Sequence, residues 1–233
     1  MSLTKNILLK IIPLIVTWYI LNTHFLEARI HLFDQPRNFT LMLDPAGDAK
    51  NPGRKLDDGF ERGITLQFAE QLKHELELLF PSIRIVLTRL PGETLQPLQN
   101  ANFANRLDVD FYLSIYFYQE RETKPNLYLY HFSYNDEFIT RWFDLAFYPF
   151  DKAHLCNKQI TCNWGSMMNA TLSSDTYKKQ FDCKGLYKLP FWPLIGIKAP
   201  AIALEAGLKN NQDWHAYIEP LVSALKPIIQ QSI

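Results

Sequence analysis

Glycine is scarce in this chain, nine residues in 233. Cysteine is scarcer at three, and neither sign of charge prevails, with 24 Lys and Arg against 24 Asp and Glu. Each shortage excludes something. So little glycine rules out a collagen-like or fibrous repeat. Cys156, Cys162 and Cys183 are too few for a disulfide framework and lack the paired C-x-x-C spacing of a zinc ribbon. Balanced charge leaves no global field to draw in nucleic acid by counterion release, so no nucleic-acid partner is expected. No uninterrupted apolar run reaches the ~20 residues of a spanning helix, which excludes a multi-pass membrane protein. Apolar side chains are plentiful, 47% of residues with 14% aromatic, enough to bury a sizeable core. One globular domain is the expectation.

The N-terminus stands apart from that domain. Residues 7–21 (ILLKIIPLIVTWYIL) are apolar apart from Lys10, Pro13 and Thr17, follow the basic Lys5 and end at Asn22-Thr23-His24. The uninterrupted stretch, residues 11–21 if Pro13 and Thr17 are passed over, is the length of a signal-peptide core. Residues 1–28 are therefore read as a signal peptide or an N-terminal membrane anchor. Leu26, two residues before the candidate cleavage residue Ala28, is large where a small residue is wanted, which keeps the anchor open. Either way the product is expected to be exported, to the periplasm or cell envelope, and Cys156 and Cys162 are expected to be able to pair in an oxidising compartment.

The rest alternates between two periods. FTLML (39–43) is a buried-strand run ending in Asp44-Pro45, and Ile64, Phe68, Ala69, Leu72, Leu76 and Leu79 recur at helical spacing until Pro81 stops them. Strands follow at 83–90, 111–118, 126–134 and 201–204, with helices near 95–107 and 213–230, the last broken or bent at Pro220 and Pro227. Residues 151–184 show no clear period and read as an insertion over one end of the sheet. The pattern predicts an α/β fold, a mostly parallel twisted sheet with helices on both faces.

In such a sheet ligands bind beyond the carboxyl ends of the strands. There the chain reads Asp44-Pro45-Ala46-Gly47, then Glu61 opening the first helix, Thr88-Arg89, Ala104-Asn105, Ser114-Ile115-Tyr116 and finally PAIALEAGLKNN from Pro200. In order and spacing this series resembles the zinc-dependent N-acetylmuramoyl-L-alanine amidases of the bacterial cell wall. Those show D-P-G-H-G-G, a helix-opening Glu, T-R, A-N, S-I-H-A-N and P-A-V-L-V-E-x-G-F-x-S-N. The resemblance spans residues 36–233 and implies an amidase-like domain.

The departures from the family fall on its chemistry. The resemblance assigns Glu61 as one metal ligand and Glu205 as the acid/base, here vestigial. The two ligand histidines are replaced by Gly47, which has no donor, and Tyr116, a neutral phenol. A catalytic zinc needs about three protein ligands, so no cofactor is implied, and zinc returns only if the site is remodelled, as from Asp48, Glu61 and His131. For Asp48 the plainer role is a turn residue, and for His131 an imidazole packed on a strand. No other nucleophile replaces the metal: there is no G-x-S-x-G elbow, and Cys156 has only His154 nearby in sequence. Three readings follow. The first is a degenerate, non-catalytic protein that binds peptidoglycan or muropeptides or regulates others that do. The second is an active amidase cleaving between N-acetylmuramic acid and L-alanine. The third is a structural partner of envelope proteins. Restoring histidines at 47 and 116 is expected to move the chain toward zinc.

Overall fold

The computed structural model describes residues 39–96, 98–134 and 149–232. The export segment, residues 1–28, lies outside the described residues. Among the described residues no helix is long and apolar enough to cross a membrane.

Strand β1 (Thr40–Pro45) is buried at every residue. Its alternation divides two cores, Leu41 and Leu43 facing one and Met42 the other. A short hairpin, β2 (Lys55–Leu56) with β3 (Gly59–Phe60), leads into helix α1 (Glu61–Leu79), whose Ile64, Phe68, Ala69, Leu72 and Leu76 are buried. Phe68 anchors the helix edge-on between Phe117 and Trp214, with ring centroids 5.2 and 6.1 Å away. Then come β4 (Arg84–Leu87), α2 (Gln99–Leu107) and β5 (Phe111–Gln119). Helix α2 buries only Ala101 and Ala104, small residues that let it lie close to the sheet. The chain continues through β6 (Asn126–Phe132), α3 (Lys158–Leu172), β7 (Asp182–Leu189), β8 (Ala201–Leu208) and α4 (Ile218–Gln230).

The six-stranded sheet runs β4-β1-β5-β8-β6-β7. All neighbours are parallel except β6 with β8. Helices α1, α3 and α4 share one core with the sheet, while α2 and the 3-10 turn Trp192–Leu194 cover the other face. The expected α/β architecture with helices on both faces is met.

Three readings need correction. Residues 151–184 are regular: a 3-10 stretch Phe150–Asn157 runs into α3, and β7 begins at Asp182. The buried face of α3 is Thr161, Gly165, Met168 and Leu172. That is helical spacing, hidden because Thr and Gly carry little apolar weight. Strand β7 was masked by its lysines, which suit a sheet edge. A bulge where Tyr128 pairs with Gly185 also breaks its alternation. The third correction concerns the thiols: Cys156, Cys162 and Cys183 are all free. Cys156 lies in the 3-10 stretch and Cys162 in α3, on either side of the break at Asn157.

Candidate functional site

The carboxyl end of β1 meets β5 at Asp44, which lies beside Ser114, is buried and accepts three side-chain hydrogen bonds. Thr88 Oγ1 and Asn100 Nδ2 each donate to Oδ1 at 2.8 Å, and Ser114 Oγ donates to Oδ2 at 2.7 Å. Next to it the buried Arg89 guanidinium donates to the carbonyls of Pro45 (3.0 Å), Ala46 (3.1 Å) and Arg62 (2.8 Å). Burial lowers the Arg89 pKa, against the pull of Asp44 and Asp48. Thr88-Arg89 thus shapes the loop that leaves β1. Asn105 has a similar task elsewhere, donating to the Gly196 carbonyl at 2.7 Å and accepting from the Lys198 amide at 3.0 Å.

The loop itself is folded around Asp48. Its Oδ1 accepts the amides of Lys50 (2.7 Å) and Asn51 (2.6 Å), and its Oδ2 accepts the Leu95 amide (3.2 Å) and Asn51 Nδ2 (3.3 Å). Burial pushes this carboxyl up, but the four donors outweigh it and hold the pKa below its ordinary value of 3.8. A depressed acid contributes stability that is present above its unfolded pKa and lost as the pH falls through the folded one. Asp48→Asn should therefore be less stable than wild type by about 1–2 kcal/mol near neutrality. The two should converge in denaturant titrations as the pH drops below about 4. A gap that stayed constant into acid would show that the charge of Asp48 plays no part.

Glu61 and Glu205 occupy the next layer. Glu61 opens α1 and is buried, its Oε1 accepting the Phe117 amide at 2.9 Å and its Oε2 the Arg54 amide at 3.0 Å. Burial raises its pKa, against those amides and the Arg54 charge, with the negative Glu205 adding to the rise. Glu205 is inside β8, not beyond a strand ending at Leu204, and pairs with Tyr116 on one side and Tyr128 on the other. Its Oε1 is 2.5 Å from Arg54 Nη2, and Tyr130 donates its hydroxyl to Oε2 at 2.7 Å.

The two positions without histidine are equally committed. Gly47 has φ +78°, and a Cβ there would lie 2.8 Å from Arg62 Cβ and 3.1 Å from the Pro52 carbonyl carbon and oxygen. Tyr116 packs edge-on against Phe191, with ring centroids 5.2 Å apart, and its hydroxyl is 3.3 Å from Ser114 Oγ. Burial, then the charge of Asp44, raises its pKa far from any metal-binding phenolate. A cleft of about 400 Å³ opens here, lined by Asp44, Gly47, Asp48, Asn100, Tyr116 and the exposed Trp192. A second, shallower groove of about 500 Å³ carries Arg54, Tyr118, Glu120, Tyr128, Tyr130 and Glu205.

Solved structures share the fold. The amidase Ami1 of Mycobacterium smegmatis superposes with a TM-score of 0.61 at 14% identity, covering 85% of this chain and 100% of its own. An N-acetylmuramoyl-L-alanine amidase from Clostridium difficile 630 gives 0.60 at 18% identity, over 83% of this chain and 97% of its own. The fold is that of an N-acetylmuramoyl-L-alanine amidase. The CwlD amidase of Clostridioides difficile, solved in complex with the GerS lipoprotein, adds a TM-score of 0.56 at 17% identity, over 84% and 98% of the two chains. No family model and no curated protein matches the sequence.

Within this amidase fold the residues present do not fit zinc. Each oxygen of Glu61 already accepts a backbone amide, Glu205 is paired with Arg54, Gly47 has no donor, and Tyr116 is a buried neutral phenol. Among the described residues no three or more His, Cys, Asp or Glu side chains gather into a metal-holding group. The remodelled set of Asp48, Glu61 and His131 is not assembled. Asp48 is held within its turn, and His131, buried on β6, borders a small separate cavity with Phe132, His154 and Leu194. The sequence motifs located Glu61, Glu205 and the β1 loop. They missed Arg54, Asn100 and Tyr130, whose roles depend on how distant segments meet and leave no local signal.

Proposed function

We propose that this chain is a cell-envelope protein that binds peptidoglycan and does not hydrolyse it. One observation carries the reading: an amidase fold in which the helix-opening and strand carboxylates persist while the positions for two imidazoles hold a left-handed glycine and a buried tyrosine. Hydrolysis of an unactivated amide needs an electrophile or a generated nucleophile, and metallohydrolases obtain both from a metal held by about three ligands. Here neither Glu61 nor Glu205 is free for that work. A cleft and a polar aromatic groove remain at the strand ends, and tyrosine and tryptophan there can stack on sugar rings and donate hydrogen bonds. In this reading residues 1–28 deliver the domain to the envelope, as signal peptide or anchor.

The test uses the full chain. It should sediment with purified sacculi and release no muramoyl sugar or stem peptide with zinc added, and an export-dependent reporter fused after residue 28 should be active. Product release by wild type that disappears in Glu205→Ala would replace the reading with an active amidase. Failure to sediment with sacculi, or an inactive reporter, would remove the peptidoglycan or the envelope part of it respectively.

A further inference from the structure

We infer that Arg54 is the resident cation of this groove, a guanidinium that pairs with Glu205 beside the buried Glu61 in place of a metal ion. The inference extends the non-hydrolytic reading to the charge of the site, and it would stand even if sacculi were not bound.

Two acids from different elements come together here, one from the start of α1 and one from the middle of β8. Arg54 touches both. Its backbone amide donates to Glu61 Oε2 at 3.0 Å, and its Nη2 lies 2.5 Å from Glu205 Oε1. Its Nη1 reaches the Phe117 carbonyl at 3.5 Å, on the residue whose amide holds the other oxygen of Glu61. The guanidinium carbon lies 5.9 Å from the Tyr118 ring centroid, so an aromatic face supports the charge. A guanidinium is always charged and presents donors in a fixed fork, which suits one group serving both the Glu205 carboxylate and the Phe117 carbonyl.

The loop is built to deliver it. Gly53, with φ +78°, lets the chain pass so close to α1 that a Cβ at this position would sit 2.7 Å from Glu61 Oε2. Upstream, Asp48 holds the turn, and Arg62 Nη1 donates to the carbonyls of Asp48 (3.2 Å) and Ala49 (2.9 Å). The Arg54 side chain is 46% exposed against 15% for Glu205, so it covers the acid from the groove side. Without it, a poorly solvated carboxylate would face a buried one with no counter-charge.

The experiment compares thermal melting of the full-length protein in detergent as wild type, Arg54→Met, Arg54→Lys and the double variant Arg54→Met with Glu205→Gln. Each is measured alone and with millimolar zinc, manganese or calcium. Wild type should be indifferent to the cations. Arg54→Met should lose roughly 3–6 °C, as expected for one to two kcal/mol in a domain of this size, and, because both Glu61 oxygens stay bound to backbone amides, should not regain it with a divalent cation. Arg54→Lys should melt near wild type and ignore the cations, and the double variant should recover stability without them. Three results would each overturn the inference: saturable binding of one zinc per wild-type chain, an Arg54→Met variant as stable as wild type, or a double variant no better than the single. If Arg54→Met does not fold, a folded double variant supports the inference and an unfolded one overturns it.

Discussion

Asp44→Ala should unfold at a temperature roughly 10 °C below wild type, the largest loss expected from any single side chain at the site. The buried carboxylate is the common acceptor for Thr88, Asn100 and Ser114, which arrive from the end of β4, from α2 and from β5. Removing it leaves two buried donors, Thr88 and Ser114, and the half-buried Asn100 without that acceptor, at about 1–3 kcal/mol for each that water cannot reach. It also strips a negative neighbour from the buried Arg89. Allowing for partial solvation of the new cavity, the net cost is about 3–5 kcal/mol. Asp44→Asn should cost less, because its amide oxygen still accepts while its nitrogen opposes a donor. Thermal and denaturant unfolding of the three proteins checks the order; an alanine variant within about 1 kcal/mol of wild type would show that the network adds little.

Gly47→His should destabilise the protein by about 2–4 kcal/mol and bring no zinc with it, alone or together with Tyr116→His. The left-handed backbone costs a residue with a Cβ about 1–2 kcal/mol. The rest comes from overlap: the new atom meets Pro52 backbone and the Arg62 Cβ, neither of which can swing aside as a side-chain tip could. The crowding at Gly47 argues against the expectation that two histidines would move the chain toward zinc. Ligand type is the smaller obstacle, because the loop that would carry the first imidazole is closed around that position. Equilibrium dialysis against zinc, with denaturant unfolding of the same variants, decides it. Stoichiometric zinc in a double variant of wild-type stability would mean that the loop refolds at little cost.

The parts of the fold that could be read were those whose side chains declare a period. Leu41 to Leu43, the Ile64–Leu76 face of α1 and the aromatic β5 all did so. Helix α3 escaped because Gly165 packs beneath Leu186 and Ile202, where its lack of a side chain is the packing feature. Strand β8 was cut short at Leu204 because Glu205 and Gly207 do not resemble strand residues. Both face the polar groove side while Ala206 and Leu208 continue the core. At the site, Thr88, Arg89 and Asn105 could be found by motif, yet their work is to hold loops rather than to act on a ligand. Arg54 could not be found, since nothing in NPGRKLDD distinguishes an arginine paired with a distant acid from one in water.

The order of the strands has a consequence for how the protein is made. Strand β8 joins the two halves of the sheet, bonded to β5 on one side and β6 on the other, yet it is the last strand to leave the ribosome. Until residues 201–208 emerge, β4-β1-β5 and β6-β7 are separate pieces, each with an unpaired edge where β8 belongs, and such edges invite pairing with other chains. The closure joins residues far apart in sequence, Leu41 beside Phe111 and Tyr112 beside Ala201, which slows folding. The nascent chain therefore passes through a period of open edges that a holding chaperone would shield.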